Sequence, residues 1–315
     1  MRSATAFAPA TVANVAVGFD ILGFAIESVG DVVTVSTTDR ASVRIKEILN
    51  DTGTPGLLDI SLDPERNSAT AGLIKLCADL GLSFGFDVTI NKGIALGSGM
   101  GGSAASAVGG MVAANSLLER PLSEQALLEY ALLGEQAASG AAHADNIAPC
   151  LCGRMTLVLS VDPLRYVSLP VPATILTVLV HPRLRIDTHS ARSILEPSVP
   201  LATYVRQSAN LGGFIAGCFR DDLEMIRQSF SDLVIEPQRA SLIPGFADVK
   251  AAAMDCGAIG ASISGSGPSV FAWVTSAESA VQVQDAMVQA FRSHASIEVD
   301  SWISPVSQQG ATIIR

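Results

Sequence analysis

Between Lys92 and Ser106 the chain reads KGIALGSGMGGSAAS, the segment whose residue types and spacing most clearly suit chemistry. Glycine lets backbone N–H groups approach an anion closely, and a helix that opens at Ser103 would direct its positive dipole end at the same point. The backbone from Leu96 through Gly97, Ser98, Gly99, Met100, Gly101, Gly102 and Ser103 to Ala104 is therefore a candidate phosphate cradle. No lysine precedes Ser103 in the P-loop manner, and no strand–GxGxxG–acid arrangement follows, so neither of those common nucleotide motifs is present. On the glycines alone, tight packing of a helix against a strand is an equally good reading.

Other candidates are scattered polar residues. His143, Asp145 and Asn146 interrupt the small, apolar run from Gly140 to Pro149, and polar groups near a core need partners or a ligand. A solitary histidine in such a run is more often structural than catalytic. Asn14 and Asp20 bracket a turn through Gly18, where ordinary turn chemistry would also explain them. Arg192, in Thr188-His189-Ser190-Ala191-Arg192, and Arg239, in Glu236-Pro237-Gln238-Arg239, offer guanidinium forks that match carboxylates, although each alone reads as a surface ion-pair member. Glu135 alone reads as a solvated helical glutamate. Ser264-Gly265-Ser266-Gly267 is a second glycine-rich turn between strand-like runs, or simply a tight connection.

The elements that must position these groups are legible in outline. Residues 31–36 and 86–90 are rich in β-branched types and predict strands. Between them, 67–80 has a buried helical pattern closed by Gly81. A helix opens after the glycine-rich segment and stops before Pro121; another runs from an N-cap at Ser123 toward Ala138. Strands follow at 155–161 and 175–180, with helices at 201–220 and 222–229. The proline-punctuated stretch from Asp162 to Pro172 predicts a domain boundary, dividing the chain into 1–163 and 164–315.

Composition narrows the function classes. With 49% hydrophobic and 16% charged residues in 315, the chain can bury a large core and is far from the signature of disorder. A formal net charge of −10 opposes non-specific attraction to nucleic acid or anionic membranes, so neither is an expected partner. No apolar run approaches the ~18 residues of a membrane span, and Pro9, Asn14 and Asp20 break any export signal. Five scattered cysteines fit neither a disulfide framework nor a metal site, which points to a reducing, cytoplasmic setting.

Four segments together resemble the homoserine kinases of the GHMP kinase superfamily. Gly97-Ser98-Gly99-Met100-Gly101-Gly102-Ser103-Ala104 is similar to the superfamily's phosphate loop, Pro-x-x-x-Gly-Leu-Gly-Ser-Ser-Ala, with Ala95 in place of the proline and Gly102 in place of the first serine. Pro9 to Asp20 resembles the N-terminal motif, Glu135 to Pro149 the central one, and Ile263 to Pro268 the third, an ordered match over nearly the whole chain.

The resemblance implies an α/β (α+β) fold of two domains, the first like ribosomal protein S5 domain 2 and the second a ferredoxin-like sandwich. It implies Mg-ATP-dependent transfer to the side-chain hydroxyl of L-homoserine, within threonine biosynthesis. Nucleotide would lie on the loop and Asn67, with Mg²⁺ on Ser103 and Glu135. Asn14, Asp20, His143, Asp145, Ser264 and Gly265 would contact the amino acid, Asp20 its ammonium, while Arg192 and Arg239 grip its carboxylate. Asn14, Asp145, Asn146 and Thr188 would act around the transferred group. No lysine accompanies Asp145, which favours positioning over base catalysis and leaves Asp145 open as a weak base. A homodimer is one assembly the sequence leaves open.

Overall fold

Alternation of small buried residues with larger partners builds the first sheet. In β1 (Ser3–Ala13) Ala4, Ala6, Ala8 and Ala10 face inward; in β2 (Leu22–Thr38) Val33 and Val35 do so. The structure is a computed structural model and describes residues 2–50, 60–140, 142–295 and 297–314; Ala141 of the central motif lies outside the described residues. After β3 (Val43–Asn50) come α1 (Ser68–Leu80), β4 (Gly85–Lys92), α2 (Gly102–Asn115), α3 (Glu124–Ser139), α4 (Ala144–Cys152), β5 (Met155–Val161) and β6 (Leu164–Leu169). The second half holds β7 (Leu176–Pro182), α5 (Thr188–Ser193), α6 (Leu201–Arg220), α7 (Leu223–Ser229), α8 (Glu236–Arg239), α9 (Phe246–Asp255), β8 (Gly260–Ile263), β9 (Val270–Val274), α10 (Ala277–Ala295), β10 (Val299–Pro305) and β11 (Thr312–Ile313).

The first sheet runs β11-β1-β2-β4-β3, with β5 on the far stretch of β2 and β6 on β5; only β3 and β4 pair in parallel. Its inner face is covered by α1, α2 and α4, with α3 packed on α1 and α2. Their close approach depends on small residues: a Cβ on Gly110 of α2 would lie 2.6 Å from the Ala69 carbonyl oxygen of α1. The second sheet, β10-β7-β9-β8, is antiparallel throughout and packs against α9 and α10 in a two-layer sandwich. The α/β fold thus has the expected two-part form.

An aromatic cluster joins the parts. Phe24 of β2 lies 5.9 Å from Phe271 and 5.8 Å from Trp273 of β9, and Trp273 in turn stacks at 5.4 Å from Phe214 of α6. Pairs at these spacings contribute about 0.5–1.5 kcal/mol each beyond their buried area. The two halves are therefore tied together by buried aromatic contacts.

Two features depart from the sequence-based expectation. The first sheet continues past 163 through the β5–β6 hairpin to Leu169, and β11 returns from the C-terminus to β1, so the first sheet draws on both ends of the chain. The stretch Ala144–Cys152, for which no element was expected, is helical, with His143 at the N-cap of α4 and Pro149 within the helix.

Candidate active site

The loop between β4 and α2 turns on three glycines with positive φ, Gly97 (59°), Gly99 (75°) and Gly101 (68°). A side chain at Gly99 would also collide with the Ser264 carbonyl oxygen at 2.3 Å, so shape and packing both require glycine there. The loop is clipped from several sides. Thr11 donates its N–H to the Met100 carbonyl at 3.1 Å, Ile186 to that of Gly97 at 3.0 Å, and Ser269 to that of Ser98 at 3.2 Å. Peptide carbonyls are thereby drawn outward into protein.

Beneath the loop is a buried ion pair. Lys92 pairs with Asp31 and donates to the Gly102 carbonyl at 2.8 Å and to Ser106 Oγ at 3.0 Å. Asp31 also accepts the N–H groups of Gly93 and Ile94, both at 3.1 Å, and the Ser106 hydroxyl at 2.7 Å. One node thus ties the loop's beginning to its end. Removal of either charge would leave the other buried and uncompensated, a loss of roughly 3–5 kcal/mol.

The loop forms one wall of a cleft of about 400 Å³. Of the residues expected at the site, Asn14, Asp20, Asn67, Leu96, Gly97, Ser98, Gly99, Gly101, Gly102, Ser103, Ala104, Glu135, His143, Asp145, Asn146, Thr188, Arg192, Arg239 and Gly265 line it. Met100 and Ser264 do not. Met100 is buried behind the loop, and Ser264 is fully buried with its hydroxyl on the Gly99 carbonyl at 2.7 Å and its N–H on Ser269. Ser266 lines the wall instead, as do Ser61, Arg66 and Lys92. Lys92 stands at the head of the glycine-rich segment; that position was its only sequence signal.

Several side chains are already engaged as scaffold. Asn67 caps α1, accepting from Ala69 N–H at 3.0 Å and donating to the Ser61 carbonyl at 2.9 Å. Asn14 donates to the Gly265 carbonyl at 2.8 Å and accepts the Asp20 N–H at 3.0 Å. Asn146 accepts from Thr11 Oγ1 at 2.6 Å. Gly265 donates its N–H to the Ala13 carbonyl at 3.2 Å, so this turn braces the N-terminal motif. Thr188 Oγ1 lies 3.5 Å from Ser266 Oγ.

Two carboxylates, Glu135 and Asp145, and His143 line one part of the cleft. Glu135 Oε1 is 3.0 Å from His143 Nδ1, and that bond raises the His143 pKa above its ordinary value against the opposing effect of burial. His143 Nε2 and Ser103 Oγ are buried with no hydrogen-bond partner among the described residues, a state that polar groups keep when a ligand completes them. Asp145, 3% exposed, is pushed up to about 7, chiefly by burial and then by the negative charge of Asp20. On the opposite side Arg192 Nη2 bridges both Asp20 oxygens at 2.7 and 2.9 Å. Buried Arg239 donates to the carbonyls of Ala191 at 3.2 Å and Gly265 at 3.0 Å, and burial lowers its pKa.

An anion cradle, an acidic pocket and two guanidinium groups in one cleft describe a site for joining a phosphate donor to a zwitterionic acceptor. Comparison with known proteins agrees. Residues 67–154 match the GHMP kinases N terminal domain and residues 214–293 the GHMP kinases C terminal domain. The chain is 43% identical to a homoserine kinase of Chloroherpeton thalassium over the full length of both. The chain belongs to the homoserine kinase family. A homoserine kinase of Xanthomonas campestris pv. campestris is 44% identical, covering 100% of this chain and 95% of that one. The crystal structure of homoserine kinase from Cytophaga hutchinsonii superposes with a TM-score of 0.95 at 44% identity, over 100% of this chain and 98% of the other. As a member of the homoserine kinase family, the chain is an ATP-dependent kinase that acts on an alcohol.

Proposed function

We propose that the chain phosphorylates the side-chain hydroxyl of L-homoserine with ATP, giving O-phospho-L-homoserine and ADP in threonine biosynthesis in the cytoplasm. The observation that carries this reading is the pairing of Arg192 with Asp20 at the cleft, opposite charges that match the carboxylate and ammonium of one amino acid. Near-identity of fold with a homoserine kinase at 44% sequence identity supports it.

The triphosphate rests on the loop N–H groups from Gly97 to Ala104, at the N-terminus of α2, where the helix dipole favours anions. The residues present fit Mg²⁺. No cluster of three His, Cys, Asp or Glu side chains exists among the described residues, but this ion commonly takes one or two protein oxygens and completes its shell with phosphate and water. Glu135 and the unpartnered Ser103 hydroxyl would supply those oxygens. When bound, the ion neutralises charge building on the transferred phosphoryl group.

Arg192 and Arg239 take the substrate carboxylate, and Asp20 the ammonium. Asp145 accepts a hydrogen bond from the acceptor hydroxyl and orients it in line with the γ-phosphate; a loose transition state asks mainly for such positioning. Asn14 and Asn146 act through the scaffold, Asn14 by capping Asp20 and Asn146 by lying 3.4 Å from Asp145 Oδ1. We also place the domain division after Leu169, where the first sheet's hairpin ends.

A panel assay of ADP release tests the assignment. With Mg-ATP, L-homoserine is expected to turn over while mevalonate and 4-hydroxybutyrate, which lack the α-ammonium, do not. Equal turnover of 4-hydroxybutyrate and homoserine would end the amino-acid reading.

A further inference from the structure

Two like charges converge on one part of the cleft, and both lie over the same aromatic ring. The Arg192 guanidinium carbon stands 5.4 Å from the Phe19 ring centroid and that of Arg239 stands 5.2 Å from the same centroid. Arg239 is only 3% exposed, and the nearby Arg192 charge adds to the burial that disfavours its charged form. The fixed partners of Arg239 are two peptide carbonyls, and that of Arg192 is Asp20. When the substrate's ammonium claims Asp20, the restraint on Arg192 weakens. What stays in place is the ring.

The backbone carrying that ring is held rigidly. Asn14, Val15 and Ala16 run through consecutive positive φ angles of 71°, 43° and 57°, and Asp20 has 63°. For β-branched Val15 this is a costly conformation, of a kind that persists where surrounding structure enforces it. The enforcement is visible: Gly18 N–H donates to the Asn14 carbonyl at 2.8 Å, Leu22 N–H to that of Gly18 at 2.9 Å, and Asn14 N–H to that of Leu22 at 2.7 Å. Phe19 is thus mounted on a well-braced turn beside two guanidinium groups from different elements, α5 and α8.

We infer that Phe19 is a positioning residue for the amino-acid substrate, its π-system holding Arg192 and Arg239 together as a carboxylate clamp. This rests on the reading that the two arginines receive the carboxylate. The attraction of a cation to a ring face is electrostatic and comes from the ring quadrupole, so it depends on the π-system and not on volume alone. Such contacts strengthen when desolvated, as beside Arg239.

Replacement of Phe19 by phenylalanines carrying one, two and three ring fluorines keeps the shape of the side chain while draining the quadrupole. The expected result is a stepwise rise in the KM for homoserine, reaching about tenfold (~1.4 kcal/mol), with kcat and the KM for ATP within twofold of wild type. Phe19→Leu is expected to match the most fluorinated protein, and Phe19→Tyr to stay near wild type. A flat fluorination series, or a series in which kcat and the KM for ATP move in step with the KM for homoserine, overturns the inference. Arg192→Ala separates the underlying reading: if it leaves the KM for homoserine unchanged, the clamp itself is misassigned. If Arg192→Ala raises that KM tenfold while fluorination does nothing, only the role of Phe19 fails.

Discussion

Glu135→Gln and Ser103→Ala are each expected to lower kcat by about 100- to 1,000-fold, about 2.7–4 kcal/mol of transition-state stabilisation, with the Kd for homoserine changed less than threefold. Glu135 is 4% exposed and holds His143 through Nδ1, so alanine there would disturb two things at once. Glutamine keeps an oxygen that accepts the His143 hydrogen bond and removes only the charge. Ser103 is the complementary case, a buried hydroxyl without a partner at the start of α2. Its removal empties no packed volume of consequence but deletes one hydroxyl oxygen at the proposed phosphate loop. Both variants should need more Mg²⁺ for half-maximal rate, read from a metal titration of ADP release. A loss confined to homoserine affinity, with kcat and the Mg²⁺ requirement unaltered, would remove both residues from the phosphate side.

Asp145→Asn should be the second large effect, a fall in kcat/KM of about 100-fold above pH 7, in the range for a positioned proton-accepting group. In the wild type the Asp145 carboxyl titrates at about 7 because it is buried and lies near the Asp20 charge. The ionised form is the better acceptor for the substrate hydroxyl, so kcat/KM should rise with pH to a plateau, with an acid limb near 7 that the asparagine variant lacks. Stability runs the other way. The native carboxyl holds its proton to a higher pH than the unfolded one near ~3.9, so between about pH 4 and 7 the unfolded state binds fewer protons and stability falls as pH rises. Asp145→Asn escapes that loss. It should be more stable than wild type at pH 8, by up to about 4 kcal/mol, and the gap should close toward pH 4. Urea unfolding at both pH values measures it. A variant less stable than wild type at pH 8 would mean that Asp145 makes a favourable ionised contact in the free enzyme.

Sequence patterning carried the helices furthest. The span 201–220 is α6 to the residue, and Ser123 and Gly81 cap α3 and α1 as their chemistry predicts, because caps and apolar periodicity are local signals. β1 was not legible as a strand, since its inward face is alanine, a weak strand former whose place is set by packing beneath the helices. The helix at 144–152 was hidden by its proline and its polar face. At the site, the glycine-rich loop was visible as a motif, whereas a joint role for the two arginines followed only from the family resemblance. What stayed hidden were partners distant in sequence: Lys92 with Asp31, Ser264 with Gly99, Phe19 beneath Arg192 and Arg239. These are tertiary facts. They also change the meaning of residues that were legible, since Ser264, expected at the substrate, braces the loop from behind.

The central claim is that nucleotide and amino acid meet across this one cleft, with phosphates on the loop and the carboxylate on the arginines. A crystal structure with L-homoserine and a nonhydrolysable ATP analogue tests it most directly. The β- and γ-phosphates are expected within hydrogen-bonding distance of the Gly97–Ala104 amides, with Arg192 turned from Asp20 onto the substrate carboxylate. Phosphates bound elsewhere, or homoserine bound while Arg192 still grips Asp20, would contradict it.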